Sequence, residues 1–218
     1  MKKFLCINTV NNFKEIIYDP FLAPFAKNNP DIELITITDD TLLSDTRKYG
    51  GVTPALIKRM YTYANIGIEM GAECVMCTCT SVNKATAQIA PLLPVPMFNI
   101  EEPTAQAAVD CGTKIGVLGT VESSPGAIIS VMSDYAAKTG KKVEFITKVV
   151  DNAFEILSAG DRDKHDEMVL SAVRELSKEV DCIVFAQISM SLLPDAGVDI
   201  PIFKIGNMGL DKARALLA

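Results

Sequence analysis

Two short polar segments, each following an apolar run, carry the side chains best suited to chemistry in this 218-residue sequence. The first, Cys79-Thr80-Ser81, precedes a predicted helix over 83–89 and combines a thiol and two hydroxyls with the free N–H groups of a helix N-terminus. That combination suits a carboxylate ligand, and the field of a helix N-terminus lowers the pKa of a thiol toward the thiolate. The second segment, Gln187-Ile188-Ser189, follows a similar run 108 residues later.

The alternative interpretation of Cys79 is a small buried hydrophobic residue, which is how we interpret four other cysteines: Cys6, Cys74, Cys77 and Cys182. Six cysteines are too sparse for a disulfide scaffold, which favours a reducing, cytoplasmic compartment. Cys77 and Cys79 lie two residues apart without a second cysteine pair or a nearby histidine, so we expect no metal site.

The sequence contains an internal repeat of four apolar segments, in the same order and 105 to 111 residues apart. The matched pairs are Lys3–Val10 with Lys114–Val121, Glu33–Thr36 with Glu144–Thr147, Glu73–Met76 with Asp181–Val184, and Val95–Ile100 with Ile200–Ile205. Each segment is a nearly continuous apolar run, which is typical of strands buried on both faces of a parallel sheet.

Stretches of helical composition separate these predicted strands. Thr53-Pro54 opens one that ends at Gly71, and Ser124-Pro125 opens another that ends at Gly140. A third, 163–180, has apolar residues at helical spacing. Alternating strands and helices predict an α/β fold with two doubly wound halves related by a pseudo-twofold axis.

We place the first half at 1–100 and the second at 101–205, and we expect a C-terminal helix over 206–218 to pack on the first half. In such sheets, ligands bind beyond the carboxyl ends of the strands. The ends of matched strands should therefore face each other across a cleft, with Cys79 and Gln187 as symmetry mates. We expect substrate contacts from the strand-end residues Asn8, Thr9, Thr80, Ser81, Thr120, Val121 and Ser189. The hydroxyls of Thr9, Thr80, Ser81 and Thr120 would stabilise an oxyanion.

Several of these segments resemble one protein family. Residues 72–81 resemble the first catalytic strand of the aspartate/glutamate/hydantoin racemase superfamily, whose Cys-Asn-Thr ending is matched by Cys79-Thr80-Ser81. Residues 181–189 resemble the second catalytic strand, where racemases carry Gly-Cys-Thr-His. Gly116–Thr120, Asn8-Thr9 and Glu102-Pro103 also fit the pattern. The superfamily also contains arylmalonate decarboxylase and maleate isomerase.

The resemblance implies two flavodoxin-like halves, each with a four-stranded parallel sheet, and cofactor-independent carbanion chemistry on a small carboxylate in the cleft between them. In the two-cysteine racemases, one thiolate removes the α-proton and the other thiol returns a proton on the opposite face. Gln187 stands where the second cysteine belongs, Asn8 replaces an Asp, and Ser189 replaces a His. These departures favour a one-sided reaction with Cys79 as the lone acid, base or nucleophile and Gln187 as a partner that does not titrate.

The predicted function is therefore a cofactor-independent racemase or isomerase acting on a small carboxylate, such as an amino acid or its derivative. A decarboxylase of a malonate-like acid and a non-catalytic carboxylate-binding protein are the alternatives. The net charge of −6 argues against nucleic acid as a binding partner. No apolar run reaches the length of about 18 residues that a membrane span needs. The sequence has no Gly-rich phosphate loop, so we expect no nucleotide cofactor, and a homodimer is the default assembly.

Four other features are assigned structural or secondary roles. We interpret His165 as part of a polar loop and helix start, Asp39 as a turn cap, and Glu101 and Glu102 as helix-initiating residues. The segment 11–24 is interpreted as a loop over the cleft that selects the substrate.

Overall fold

The computed structural model describes residues 1–122 and 124–218. Its strands are β1 (Lys2–Asn8), β2 (Ile32–Thr38), β3 (Cys74–Cys77), β4 (Met97–Asn99), β5 (Lys114–Gly119), β6 (Glu144–Val149), β7 (Cys182–Phe185) and β8 (Ile202–Phe203). Its α-helices are α1 (Ala23–Asn28), α2 (Thr41–Lys48), α3 (Pro54–Glu69), α4 (Asn83–Ile89), α5 (Glu102–Cys111), α6 (Ser124–Thr139), α7 (Ala153–Ser158), α8 (Arg162–Leu176) and α9 (Asn207–Leu216). Within this described part of the chain, no helix is long and apolar enough to cross a lipid bilayer.

The chain divides into two compact units, Met1–Glu102 with Gly206–Ala218, and Pro103–Ile205. Among the described residues, each unit contains one four-stranded sheet, and every neighbouring pair of strands is parallel. The strand orders are β2-β1-β3-β4 and β6-β5-β7-β8, so the repeated segments occupy equivalent places in the two sheets. The predicted α/β class with two four-stranded parallel sheets is confirmed, and the strand order is that of a flavodoxin-like sheet.

Burial on both faces is confirmed for the four central strands and for the edge strand β4, whose three residues are all buried. All four residues of β3 and of β7 are buried, and so are the last five of β1 and of β5. The strands β6 and β8 have half-buried and exposed residues instead. Both lie at a sheet edge, where one side has no neighbouring strand, so the continuous apolar run overstates their burial.

Helix α3 shows why the sequence signals predict the helices well. The Thr53 side chain accepts a hydrogen bond from the Leu56 N–H at 3.3 Å, and Pro54 occupies the first helical position. The buried residues Leu56, Met60, Ala64 and Gly67 recur at helical spacing, and the helix packs on β1.

Helix α8 ends at Leu176 rather than at the predicted residue 180. The N–H groups of Lys178 and Glu179 bond to the carbonyls of Glu175 and Leu176, three residues earlier, so a tightened turn closes the helix. The N-terminal end is confirmed, because the Asp161 side chain accepts from the Lys164 N–H at 3.1 Å.

The segment expected to be a loop over 11–24 is helical instead. Residues Lys14–Leu22 form a π-helix that contains Pro20 and continues into α1. Pro20 has no N–H to give to an α-helical ladder, and the wider π-helical turns occur where that ladder is interrupted. Ile17, Phe21 and Leu22 are buried, which anchors this segment to the first unit.

Candidate functional site

Cys79 lies at the carboxyl edge of the first sheet. Strand β3 ends at Cys77, and the N–H of Thr78 donates to the Ile7 carbonyl at 3.0 Å, which carries the parallel pairing one residue further. Cys79 keeps an extended backbone, and a 3₁₀ turn over Thr80–Val82 then leads into α4. This change of direction leaves the Cys79 side chain half-buried at the strand end, where the sequence predicted it.

Burial dominates the acidity of the Cys79 thiol. Loss of hydration raises its pKa above the ordinary value of 9.0, and the charge of Glu101 raises it further. Hydrogen bonds from the Thr9 side chain and from the N–H and side chain of Ser81 act in the opposite direction. The predicted lowering of the Cys79 pKa is therefore wrong, because burial outweighs these hydrogen bonds, and Cys79 is a protonated thiol at neutral pH.

The other five cysteines differ from Cys79 in their exposure. Cys6, Cys74, Cys77 and Cys182 are fully buried within strands, as their apolar surroundings predicted, and Cys111 is exposed at the end of α5. Burial raises the pKa of both Cys74 and Cys182 to about 12. Of the six thiols, only Cys79 is both partly accessible and placed at a strand's carboxyl end.

Asn8 is buried at the end of β1 with its amide bonded to protein atoms. Its Oδ1 accepts a hydrogen bond from the Thr78 hydroxyl at 2.9 Å, and its Nδ2 lies 3.4 Å from the carbonyls of Cys6 and Ile37. These bonds tie β1, β2 and the residue after β3 together just below Cys79. Sequence reasoning missed Thr78, because a threonine between two cysteines looks like an ordinary strand residue.

A buried polar group at the end of β4 was also missed. Asn99 and Glu101 have 0% exposure, and Nδ2 of Asn99 donates to Oε1 of Glu101 at 3.0 Å and to the Cys79 carbonyl at 3.5 Å. The Thr86 hydroxyl of α4 donates to Oδ1 of Asn99 at 2.6 Å. The helix-initiating role expected for both glutamates falls to Glu102, whose Oε1 accepts from the Asn99 N–H at 2.9 Å.

Burial raises the pKa of Glu101 from 4.5 to about 7. Hydrogen bonds from its own backbone and from the side chains of Asn99 and Asn83 favour the charged form, and the nearby charge of Glu102 opposes it. Its Oε2 is buried and makes no hydrogen bond to the described residues. No feature of the local sequence separates this buried glutamate from the half-exposed Glu102 beside it.

In the second unit, Gln187 lies at the end of β7 and is fixed by the end of β5. Its Oε1 accepts from the Thr120 N–H at 2.8 Å and lies 3.1 Å from the Thr120 hydroxyl and 3.2 Å from the Ser124 hydroxyl. Because a backbone N–H can only donate, the atom that faces it must be the amide oxygen of Gln187. The NH₂ group is then left as a hydrogen-bond donor. The backbone of Gly119 permits this arrangement, since a Cβ there would lie 2.5 Å from Oγ of Ser124.

A model of the family described as Asp/Glu/Hydantoin racemase matches residues 30–206 of this sequence. The chain belongs to this family. The resemblance predicted from the strand-end motifs is thus confirmed. No curated protein matches the sequence.

Solved structures of this racemase family have the same fold. An aspartate racemase homologue from Pyrococcus horikoshii matches with a TM-score of 0.74 at 15% identity, over 100% of this chain and 99% of that chain. An allantoin racemase from Klebsiella pneumoniae matches with a TM-score of 0.68 at 13% identity, over 99% and 87%. A glutamate racemase isoform from Bacillus anthracis matches with a TM-score of 0.66 at 16% identity, over 99% and 81%.

The racemase-family fold places the remaining predicted site residues at the same strand ends. Thr9 is buried directly after β1, and Thr80 and Ser81 are half-buried in the 3₁₀ turn after Cys79. In the second unit, the Val121 carbonyl accepts from the Ser124 N–H at 3.0 Å, and Ser189 lies in the 3₁₀ turn Ile188–Leu192. Thr9, Cys79 and Ser81 therefore lie together in the first unit, and Thr120 and Gln187 lie together in the second.

Two other candidate residues have structural partners. His165 lies near the start of α8, as predicted, but it is buried and does not belong to a polar loop. Its Nδ1 lies 2.7 Å from Oδ1 of Asp166. Oδ1 of Asp39 accepts from the Thr41 N–H at 3.0 Å, as expected for a turn cap. Within residues 1–122 and 124–218, no group of three or more His, Cys, Asp or Glu side chains is arranged to hold a metal ion.

Proposed function

We propose that this protein is a cofactor-independent isomerase that forms a carbanion or enediolate from a small carboxylate, with Cys79 as the residue that exchanges the proton. The observation that carries the proposal is the position of Cys79, a half-buried thiol just beyond the carboxyl end of β3. The neighbouring Thr9 and Ser81 act to lower its pKa. Family membership supplies the reaction class, and the donors around the sulfur supply a means of stabilising the thiolate.

In the proposed reaction, the Cys79 thiolate removes a proton from the carbon next to the substrate carboxylate. The electron pair of the C–H bond moves into the carboxylate group and gives an enediolate, and the proton is held as the Cys79 thiol. Return of a proton to the carbon restores the acid. The hydroxyls of Thr80 and Ser81 can stabilise the charge that develops on the substrate oxygens.

We propose that Gln187 contributes a hydrogen bond rather than a proton. An amide has no usable basicity near neutral pH, and the oxygen of Gln187 is already held by Thr120. Its NH₂ group is available to a carboxylate or an enediolate oxygen. The expectation that Gln187 and Cys79 act on one substrate stays a prediction.

A second candidate reaction is decarboxylation of an activated, malonate-like acid. The raised pKa of Cys79 favours it, because a protonated thiol is ready to give a proton and loss of CO₂ needs no base. The C–C bond to the leaving carboxyl group breaks, its electron pair forms the enediolate, and the Cys79 thiol protonates the carbon. The thiolate that remains is then reprotonated by water.

Proton NMR in D₂O separates these reactions in one experiment. The purified protein is incubated with amino acids, hydantoins, maleate and substituted malonates, and the spectra report deuterium exchange, isomerisation and loss of CO₂. We expect one substrate class to react. Replacing Cys79 with Ser should slow the reaction by about 10²-fold or more, because serine is far less acidic than cysteine and cannot replace it in proton transfer.

Cys111→Ser is the matched control, because it removes an exposed thiol at the end of α5. We expect it to leave turnover unchanged. A Cys79→Ser variant that keeps full turnover would overturn the assigned role of Cys79. A protein that is stabilised by a carboxylate but turns over none of the panel would be a binding protein instead.

A further inference from the structure

Glu101 is a buried carboxyl group that the proposed reaction does not use. It has 0% exposure, and its Oε2 finds no hydrogen-bond donor among the described residues. A buried carboxylate without full hydrogen bonding is costly, so its place two residues after β4 calls for an explanation.

The hydrogen bonds around Asn99 connect Glu101 to Cys79. The Thr86 hydroxyl donates to Oδ1 of Asn99 at 2.6 Å, which fixes the orientation of the amide. The NH₂ group of Asn99 must then face Oε1 of Glu101 at 3.0 Å and the carbonyl of Cys79 at 3.5 Å. One amide group thus holds the carboxyl group and the backbone of the reactive cysteine together.

The charged and titratable groups that face Glu101 come from three elements. Glu102 follows it in the chain and is itself paired with Lys212 of α9 at 3.2 Å. The thiols of Cys77 and Cys79, in β3 and just after it, both have a pKa raised by the charge of Glu101. Asn99 and Asn83, the latter from α4, are its uncharged polar neighbours.

We propose that Glu101 is a positioning residue for Cys79, because Asn99 links the Glu101 carboxyl group to the Cys79 backbone. When Glu101 ionises, its negative charge keeps the Cys79 sulfur protonated. This inference rests on the proposed role of Cys79. Because the pKa of Glu101 is raised to about 7, the carboxyl group changes charge in the neutral range. Cys79 is thus more readily ionised when Glu101 is neutral than when Glu101 is charged.

The test measures the reactivity of Cys79 without any substrate. In a Cys111→Ser background, the rate of reaction with 2,2′-dithiodipyridine is followed from pH 5 to pH 9.5. We expect the slope of log rate against pH to become shallower near pH 7, where Glu101 ionises. Glu101→Gln should remove this shallow region, match the parent below about pH 6, and react about threefold faster or more above pH 8.

The two ends of the pH range separate a charge effect from a structural one. A change in the local structure would alter the rate of Glu101→Gln at every pH, whereas loss of the charge alters it only where the parent carboxyl group is ionised. A parent profile without a shallow region, or an equal rate change at pH 5.5 and pH 9, would overturn the proposal. If Glu101→Gln does not fold, Glu101→Ala is measured in the same way, and a shallow region that persists in it would overturn the proposal.

Glu102→Gln is the matched control, since it removes a neighbouring carboxylate whose side chain is 30% exposed. We expect it to keep the shallow region near pH 7. If Glu102→Gln changes the pH profile as Glu101→Gln does, the change in Cys79 reactivity comes from the combined negative charge of the neighbouring carboxylates and not from Glu101 in particular. Because no substrate is present, failure of the isomerase proposal in the NMR experiment leaves this result unaffected, and the two failures are distinguishable.

Discussion

At the scale of single residues, the chemistry of Cys79 is decided by two opposing effects. Burial disfavours the thiolate, and hydrogen bonds from Thr9 and Ser81 favour it. Burial is the larger effect in the free protein, so the resting group is a thiol. A carbon acid could be deprotonated only by the small thiolate fraction, whereas a carbanion could be protonated by the thiol directly.

Removing one of these donors should shift the balance further toward the thiol. Thr9→Val keeps the shape of the side chain and removes the hydroxyl that bonds to the Cys79 sulfur. A hydrogen bond to a charged group contributes about 1.5–3 kcal/mol, so we expect alkylation by iodoacetamide at pH 8 to be about tenfold slower. Mass spectrometry of the peptide that contains Cys79 measures this rate.

Thr80→Val serves as the control for this measurement. Thr80 directly follows Cys79, and the hydrogen bonds that lower the Cys79 pKa come from Thr9 and Ser81. We expect its alkylation rate to stay close to that of the parent. Equal slowing in both variants would show that any change at this strand end affects Cys79, and that the Thr9 hydroxyl has no particular role.

At the scale of secondary-structure elements, the site depends on close packing of α3 against β1, the strand that ends at Asn8 and Thr9. Gly67 of α3 faces Leu5 of β1, whose exposure is 0%. A Cβ at position 67 would overlap the Leu5 side chain. Glycine is used here because the helix and the sheet approach each other closely.

Gly67→Ala should therefore destabilise the chain although alanine has the higher helix propensity. The gain in propensity is about 1 kcal/mol, and overpacking a buried site costs about 1–3 kcal/mol. We expect the free energy of unfolding in urea to fall by up to about 2 kcal/mol. Gly126→Ala in α6 makes the same change where a Cβ meets nothing within 4 Å, and it should be neutral or stabilising. Stabilisation of both variants would contradict the packing argument.

The elements also show what sequence reasoning can and cannot predict. The apolar runs located all eight strands, and the Thr53-Pro54 and Ser124-Pro125 signals located α3 and α6, because these features depend on local sequence. The π-helix over Lys14–Leu22 was missed, since the prolines Pro20 and Pro24 are equally typical of a loop. Edge strands cannot be told from central ones until the strand order is known.

The residues of the candidate site also fall into those that the sequence predicted and those that it did not. Cys79 and Gln187 were predicted because they follow recognisable apolar runs and align in the repeat. Glu101 was assigned to helix initiation, because its burial depends on elements distant in sequence. Helix α4 contacts β4 and helix α9 contacts β3, and a Cβ on Gly209 of α9 would lie 2.8 Å from the carbonyl oxygen of Ile100, just before Glu101. No local pattern reports such packing.

At the scale of the whole molecule, the repeat yields two sheets with the same strand order but different chemistry at their ends. The first sheet ends in a thiol beside a buried carboxyl group, and the second ends in an amide held by backbone and hydroxyl donors. Only the first end can hold and release a proton near neutral pH. The buried charge that forms when Glu101 ionises should also lower the stability of the folded chain.

The pKa of Glu101 is about 7 in the folded chain, and its ordinary value of 4.5 applies to the unfolded chain. Below pH 4.5 both states hold the proton, and the full stability is present. Between pH 4.5 and pH 7 the unfolded chain releases its proton before the folded chain does, so stability falls as the pH rises. Above about pH 8 the loss is complete and amounts to about 3 kcal/mol.

Glu101→Gln removes this titration, so the variant should gain stability relative to the parent as the pH rises. We expect the difference in free energy of unfolding between the two proteins to change by about 3 kcal/mol between pH 4.5 and pH 8, as measured by urea denaturation at each pH. Titrations of groups that do not interact with Glu101 cancel in this difference, and the coupled thiols of Cys77 and Cys79 stay protonated in this pH range. Glu73→Gln, which removes an exposed carboxylate at the opposite end of β3, should show no such change. A constant difference between parent and Glu101→Gln across this range would mean that Glu101 is ionised in the folded chain as readily as in the unfolded one, and that its burial is compensated by groups around it.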